Sequence, residues 1–319
     1  MNLMFLGTSA GMPTRFRNVT ALAVQEEVGR TWYLVDCGEA TQHQILRTKL
    51  SLNRLAAIFI THVHGDHCYG LPGLLASAGM SGRVDPLTIV APRGIEAWIK
   101  STLQHTTLYL PFELQFIATE SLSDFHIGNV CVDAIALSHR VASYAYSFTE
   151  VKVDSRLNQE KLTTDGVPRG PLWGEIKNGI DVEYEGRWLR SEDYLLFDNK
   201  PRKIVVGGDN DRPELLADAC RDCNVLVHEA TYTADVAKKS GESFGHSSAE
   251  QVAAFAESVS IPNLILTHFS ARYQGDPAKS PSIEDIRKEA ADFYKGNLFL
   301  AKDFAHYALQ KSGELRLTN

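Results

Sequence analysis

His62-Val63-His64-Gly65-Asp66-His67 follows the short apolar run Ala57–Ile60, and its reading decides the fold. Alternate residues of an extended segment point the same way, so His62 and His64 can face one ion. Asp66 and His67 lie where the chain turns toward the next helical stretch and can face a second, with Gly65 permitting the tight backbone between. A single histidine is usually structural, but three with an aspartate inside six residues form the pattern of a metal site.

The same arrangement recurs downstream. Val130–Leu137 ends at Ser138-His139, Ile204–Val206 at Gly207-Gly208-Asp209, and Leu264–Leu266 at Thr267-His268. Each run is strand-like and each presents a ligand-type side chain just past its end. α/β layers place their sites at one edge of a sheet, so these residues can converge on the first cluster. Together they supply enough ligands for two ions sharing Asp209.

Further short, β-branched runs read as strands: Leu3–Leu6, Trp32–Val35, Leu87–Val90, Leu114–Ile117, Lys203–Val206, Val225–Val227 and Leu298–Leu300. Helical stretches fall between several of them, at Thr41–Lys49, Gly70–Ala78, Gly94–Leu103, Ala249–Val259 and Ile283–Tyr294. Strands alternating with helices imply layered α/β with helices on the outer faces. Ser248 with Gln251, and Ser282 with Asp285, are capping-box patterns, and Gly296 stands where a C-terminal glycine stop belongs. Residues 150–190 break the pattern. They are polar, contain Gly166-Val-Pro-Arg-Gly-Pro171 and have little apolar periodicity, so they are expected to form an inserted arm projecting from a single domain of residues 1–319.

Composition is that of a globular chain: 319 residues, 44% hydrophobic and 22% charged. A basic stretch leading into a long apolar run is missing, as is any run of eighteen apolar residues, so a soluble, cytoplasmic protein is expected. Five cysteines without a scaffold rhythm fit a reducing compartment. Cys220 and Cys223 are expected to be ordinary helical cysteines in the stretch Pro213–Cys223, because no second pair completes a four-sulfur site. A net charge of −7 gives no compositional argument for nucleic acid, so basic patches must be local or come from a partner subunit.

The spacing resembles the metallo-β-lactamase fold, a four-layer αββα sandwich, over nearly the whole chain. That resemblance implies His62, His64, His139 and Asp209 around one ion, and Asp66, His67, Asp209 and His268 around another. It also implies that Asp36 orients the site. The donors suit two zinc ions, with manganese, cobalt or iron as alternatives. Two divalent cations outweigh two carboxylates and a hydroxide, which favours a phosphate substrate.

Four stretches look like the ribonuclease Z family, closest in pattern to bacterial ribonuclease BN. They are Phe5–Asn18 with its Pro13–Asn18 loop, His228-Glu-Ala-Thr231, Gly245-His246-Ser247-Ser248, and the arm segment Gly166–Leu172. The loop has Arg15 where the family usually has Lys, and Ser248 stands where many members have Thr. The resemblance implies removal of 3′ trailers from precursor tRNA, leaving a tRNA 3′-hydroxyl and a 5′-phosphorylated trailer, with 3′ exoribonuclease trimming as an added possibility. It implies a homodimer and no membrane. Asp66 would orient the attacking water and accept its proton, and His246, paired with Glu229, would protonate the leaving oxygen. A helix beginning beside His246 opposes its cation and a nearby Glu229 carboxylate favours it. Arg15, Arg17 and Arg272 are expected phosphate contacts, and Gly170 and Pro171 part of the tRNA-gripping arm. Phe16 either stacks on a base or packs under its loop. The alternative is a small-molecule phosphodiesterase or arylsulfatase-like hydrolase of the same fold, which would share the ligands but lack the arm and the Pro13–Asn18 loop.

Overall fold

The computed structural model describes residues 1–197, 199–240, 245–276 and 278–318. They divide into two compact units, Met1–Thr149 with Arg202–Asn319, and Glu150–Pro201.

The larger unit, the body, is built on two sheets. In the first, Trp32–Val35, Leu55–Phe59, Leu87–Ala91 and Leu114–Ala118 run parallel in that order, and Ala21–Gln25, Asn2–Gly7, His306–Leu309 and Leu315–Leu317 extend it antiparallel. In the second, Lys203–Val206, Val225–Glu229, Asn263–Thr267 and Asn297–Leu300 are parallel; Ser143–Glu150, Val130–Leu137 and Phe125–Ile127 continue the other side.

Successive strand side chains point to opposite faces, and the sequence uses both. Tyr33, Val35, Phe59 and Val90 of the first sheet share one buried cluster with Tyr146, Phe148, Ile204, Val206, Val227 and Ile265 of the second, so the two sheets face each other. The alternate residues Leu34, Ile58 and Ile89 turn outward and pack on helix residues Leu71, Leu74, Leu75, Ile95 and Ile99. On the far side, Val205, Leu226, Leu264 and Leu266 are covered by Val252 and Phe255 of helix Ala249–Ser258 and by Ile286 and Ala290 of helix Ile283–Phe293. Helix, sheet, sheet, helix is the expected four-layer order.

Local signals hold with two corrections. Ser248 and Gln251 make the reciprocal capping box, and Asp285 Oδ2 accepts the Ser282 backbone N–H at 2.8 Å. The helix before Gly296 already ends at Phe293, however, with Tyr294 extended. Gly296 is needed for space, since a Cβ there would lie 2.3 Å from the Tyr294 hydroxyl. The stretch to Cys223 is a single 3₁₀ turn, Pro213–Leu216, and not a longer helix; both cysteines are buried thiols in the outer core.

The smaller unit, expected from its composition to be a polar arm, has a core of its own. Helices Gln159–Thr164 and Pro171–Lys177, the hairpin Val182–Tyr184 with Arg187–Leu189, and the ribbon Ser155–Leu157 with Leu195–Phe197 enclose their own core. That core is Leu162, Val167, Trp173, Ile176, Val182, Leu189 and Tyr194. Its apolar residues are spread over five short elements, too far apart to show a period. No helix among the described residues is long and apolar enough to cross a membrane.

Candidate metal centre

Parallel strands end at a common edge, and the site is assembled there in the body. Leu55–Phe59 leads to His62, Lys203–Val206 to Asp209 and Asn263–Thr267 to His268. Antiparallel Val130–Leu137 leads to His139. His64 caps the one-turn helix Gly65–Cys68 with extended backbone, which lifts Asp66 and His67 beside it. Gly65 is helical here and leaves room for the Tyr69 ring, which a Cβ would meet at 2.2 Å.

Donor atoms of His62, His64, His139 and Asp209 lie within 4.8 Å of one another, as do those of Asp66, His67 and His268. Asp209 faces both groups. Its Oδ2 is 3.6 Å from His62 Nε2 and 3.7 Å from His139 Nε2, while its Oδ1 is 3.4 Å from both His67 Nε2 and His268 Nε2.

Hydrogen bonds behind the imidazoles decide which nitrogen each offers. Thr61 Oγ1 donates to Asp36 at 2.9 Å and so accepts from His62 Nδ1 at 3.0 Å. His67 Nδ1 donates to Asp36 Oδ2 at 2.7 Å and His139 Nδ1 to the Gly245 carbonyl at 2.7 Å. Thr231 Oγ1 donates to Glu229 and accepts from His268 Nδ1 at 3.0 Å. Nε2 of His62, His67, His139 and His268 therefore all face inward. His62 Nε2 and His139 Nε2 stand 3.1 and 3.2 Å from His64 Nδ1, and His67 Nε2 stands 3.2 Å from His268 Nε2. Imidazole nitrogens converging at hydrogen-bond distance beside the Asp209 and Asp66 carboxylates make the nitrogen-and-oxygen donor set that divalent cations accept, so the residues fit cations. Asp36 (φ 60°) and His268 (φ 57°) are both held in the left-handed region, a strain that the surrounding contacts must sustain.

Burial, and then the imidazoles of His67, His139 and His64, hold His62 well below its ordinary pKa, keeping its lone pair free. His67 goes the other way: against burial, the carboxylates of Asp209, Asp36 and Asp66 hold its proton. A cation among those carboxylates would take that proton's place. Burial opposes ionisation of Asp66, yet contacts with His67 and His268 keep it far below the usual carboxylate range. Its Oδ2 accepts the Gly11 N–H at 2.7 Å.

His246 Nδ1 lies 3.0 Å from Glu229 Oε2 and 3.7 Å from Asp209 Oδ2. Burial would lower His246, but the buried Glu229 carboxylate outweighs it and raises the imidazole to about 9. Glu229, which burial would raise, is held at about 2 chiefly by His246.

A cavity of about 470 Å³ opens over this edge, lined by His64, Asp66, Asp209, His246 and His268, with Met12, Tyr69 and Arg140 also on its wall. Arg140 had a sequence signal, being adjacent to His139. Thr61 and Thr231, which set two tautomers, had only their neighbours. Other expected residues are placed differently. Arg15 is exposed, whereas Arg17 is turned into the fold, donating to Thr8 Oγ1 at 2.8 Å and the Ala301 carbonyl at 3.0 Å over the Phe269 ring. Arg272 stacks over Tyr232 and donates to Ser270 Oγ at 3.2 Å. Phe16 is 84% exposed, so it does not pack under its loop. Within the smaller unit, Gly170 precedes Pro171 at the first turn of its helix, both exposed.

Comparison with known proteins extends this. The family model described as Anti-Pycsar protein Apyc1 matches residues 1–162. Ribonuclease Z of Pseudomonas putida (strain W619) is 54% identical over 313 residues, covering 98% of each chain. The crystal structure of human tRNase Z, short form, superimposes with a TM-score of 0.67 at 25% identity, covering 97% of this chain and 100% of the other. The metallo-β-lactamase fold protein YhfI from Bacillus subtilis gives 0.64 at 18% identity, covering 96% and 98%, a likeness of fold.

Proposed function

The chain belongs to the ribonuclease Z family, its residues 1–162 being shared with the Anti-Pycsar protein Apyc1 family, and we propose that it is a metal-dependent endoribonuclease removing 3′ trailers from precursor tRNA. The half-chain match stops before Asp209, Glu229, His246 and His268, whereas the ribonuclease Z likeness runs through all of them. The geometric observation carrying the chemistry is the charged His246–Glu229 pair beside the donor set.

Two zinc ions are proposed, held by His62, His64, His139 and Asp209 and by Asp66, His67, Asp209 and His268; manganese, cobalt and iron have compatible chemistry. Such ions supply a hydroxide near neutral pH and neutralise charge on phosphoryl oxygens. Asp66 remains ionised beside His67 and His268, so it orients the attacking water, accepts its proton as the new P–O bond forms and releases it to solvent. His246 Nδ1 is engaged by Glu229, which leaves Nε2 to protonate the departing 3′-oxygen as the P–O3′ bond breaks. The tRNA body then ends in a 3′-hydroxyl and the trailer in a 5′-phosphate. Residues 150–201 are proposed as the tRNA-gripping insert, with Gly170 and Pro171 in it. Arg15 and Arg272 are proposed phosphate contacts; Arg17 is better described as holding the Pro13–Asn18 loop in place. A cytoplasmic homodimer fits this activity, and sedimentation tests the dimer.

Incubation with end-labelled precursor tRNA, with and without CCA, tests the proposal. One cut giving the stated ends supports it, and a ladder of shortened products would add 3′ trimming. His246→Ala is expected to slow the cut by about 10²–10⁴-fold with metal content intact. Turnover of small phosphodiesters with no cleavage of precursor tRNA would overturn the substrate assignment.

A further inference from the structure

A second donor cluster lies away from this centre, on the hairpin that ends the second sheet. Phe125–Ile127 is the edge strand and pairs antiparallel with Val130–Leu137, His126 lying directly opposite Cys131. Direct cross-strand partners share a face. Val130 and Val132 turn into the core, so His126 and Cys131 face outward together. Asp124 joins them from the residue preceding the edge strand. Its Oδ1 is 3.3 Å from His126 Nε2 and accepts from Cys131 Sγ at 3.1 Å. All three donor atoms fall within 4.8 Å of one another.

We propose that Asp124, His126 and Cys131 form a peripheral binding site for a thiophilic divalent cation of the zinc class, separate from the hydrolytic centre. Three observations carry this. The donor types are a thiol, an imidazole and a carboxylate, the mixture that tetrahedral zinc accepts. The His126–Asp124 spacing of 3.3 Å is that of two donors sharing a tetrahedral zinc at ordinary bond lengths, about 3.3–3.5 Å, and Cys131 Sγ, at 3.1 Å from Asp124, has only to draw back slightly as its proton leaves.

The hairpin is also held in place before any ion arrives. Tyr33 donates to the Ile127 carbonyl at 2.9 Å, and the Asn129 N–H donates to Glu26 at 2.7 Å. Gly128 (φ 57°) has no room for a side chain, since a Cβ would lie 2.2 Å from Glu26. Asp133 accepts the Asp124 N–H at 2.8 Å, fixing the carboxylate's backbone. Little ordering is left for the ion to impose.

Burial, then Asp124 and Asp133, push the Cys131 thiol up to about 12, so it starts protonated. Binding forms a metal–sulfur bond and releases that proton to solvent. The thiolate and carboxylate then balance the dication, leaving the fourth position to water.

No donor of the hydrolytic centre is a sulfur, so a thiolate signature reports this site alone. The metal-loaded protein is analysed for zinc content as purified and then titrated with cobalt(II), alongside Cys131→Ser and His126→Gln. One more zinc equivalent in the wild type than in Cys131→Ser supports the site. So does a near-ultraviolet sulfur-to-cobalt absorption in the wild type that Cys131→Ser lacks. His126→Gln should weaken cobalt binding by at least about tenfold, the least expected for a direct ligand when a residue behind one costs that much. Hydrolytic activity should be unchanged in both variants. Equal zinc content together with no sulfur band at saturating cobalt would overturn the proposal, as would a band that persists in Cys131→Ser.

Discussion

In the body, two sheets bury a shared layer of Tyr, Phe, Val and Ile side chains, and two further cores lie beneath the outer helices. Residues 150–201 close around seven apolar side chains distributed over short helices, a hairpin and the loop between the helices. The two designs differ in what they can hold still. Strands fixed on both faces can keep seven donor residues converged, with Asp36 and His268 strained in the left-handed region. A core of seven side chains supports a small surface and little strain; single cores in units this small supply only about 3–5 kcal/mol. The comparison predicts chemistry lodged in the body and substrate grip lodged in the insert.

The largest expected effect tests the body. His64 Nδ1 faces both His62 and His139, so His64→Ala removes a donor from the middle of one group. Bound metal should fall, and kcat/KM should drop by at least about 10³-fold, roughly 4 kcal/mol. The loss should be equal on precursor tRNA and on a small phosphodiester, and added zinc should not restore it. Unequal losses would mean that the chemistry is not confined to the body.

The next effect tests the insert. Leu157 pairs with Leu195 across the ribbon, so residues 158–194 can be replaced by a two-residue Asn-Gly turn that matches a hairpin's twist. KM for precursor tRNA should rise about 10- to 100-fold, about 1.4–2.7 kcal/mol of binding, while small-phosphodiester hydrolysis stays within twofold. Equal loss on both substrates would show that the insert supports the body's structure instead.

How much could be read from the sequence follows the same division. The body's strands are legible because they are short runs rich in β-branched and other apolar residues; Val130–Leu137 and Lys203–Val206 match to the residue. The candidate metal donors are legible because each lies in the loop that follows such a run. Ser143–Glu150, SYAYSFTE, carries no such signal, because its buried positions use Ala, Tyr, Ser and Phe in place of a β-branched run. The insert's fold was not legible either, since Leu162, Trp173 and Leu189 each pack in a different short element. Arg17 looked like a phosphate contact by charge alone, and only the fold shows its guanidinium bound to Thr8 and Ala301. Which imidazole nitrogen faces the site depended on Thr61 and Thr231, whose hydroxyls carry no pattern of their own.

The smallest expected effect is the most direct test of whether the two units are energetically separate. Each contains a helix N-cap of the same kind. Ser248 Oγ accepts from Gln251 N at 3.2 Å in the body, and Asn158 Oδ1 accepts from Lys161 N at 3.0 Å in the insert. Replacing either with Ala costs about 1 kcal/mol. In the body that is a small share of a large cooperative stability, so Ser248→Ala should lower the main thermal transition by about 2 °C. In the insert the same loss is a quarter or so of what its core can supply. Asn158→Ala should therefore speed amide exchange over Gln159–Thr164 and Pro171–Lys177 about fivefold, the factor that 1 kcal/mol represents, with the main transition unmoved. Should Asn158→Ala shift that transition as far as Ser248→Ala does, with exchange rising in helix Ala249–Ser258 as well, the two units unfold as one. The grip and the chemistry would then share a single stability, and damage to the insert would reach the metal centre.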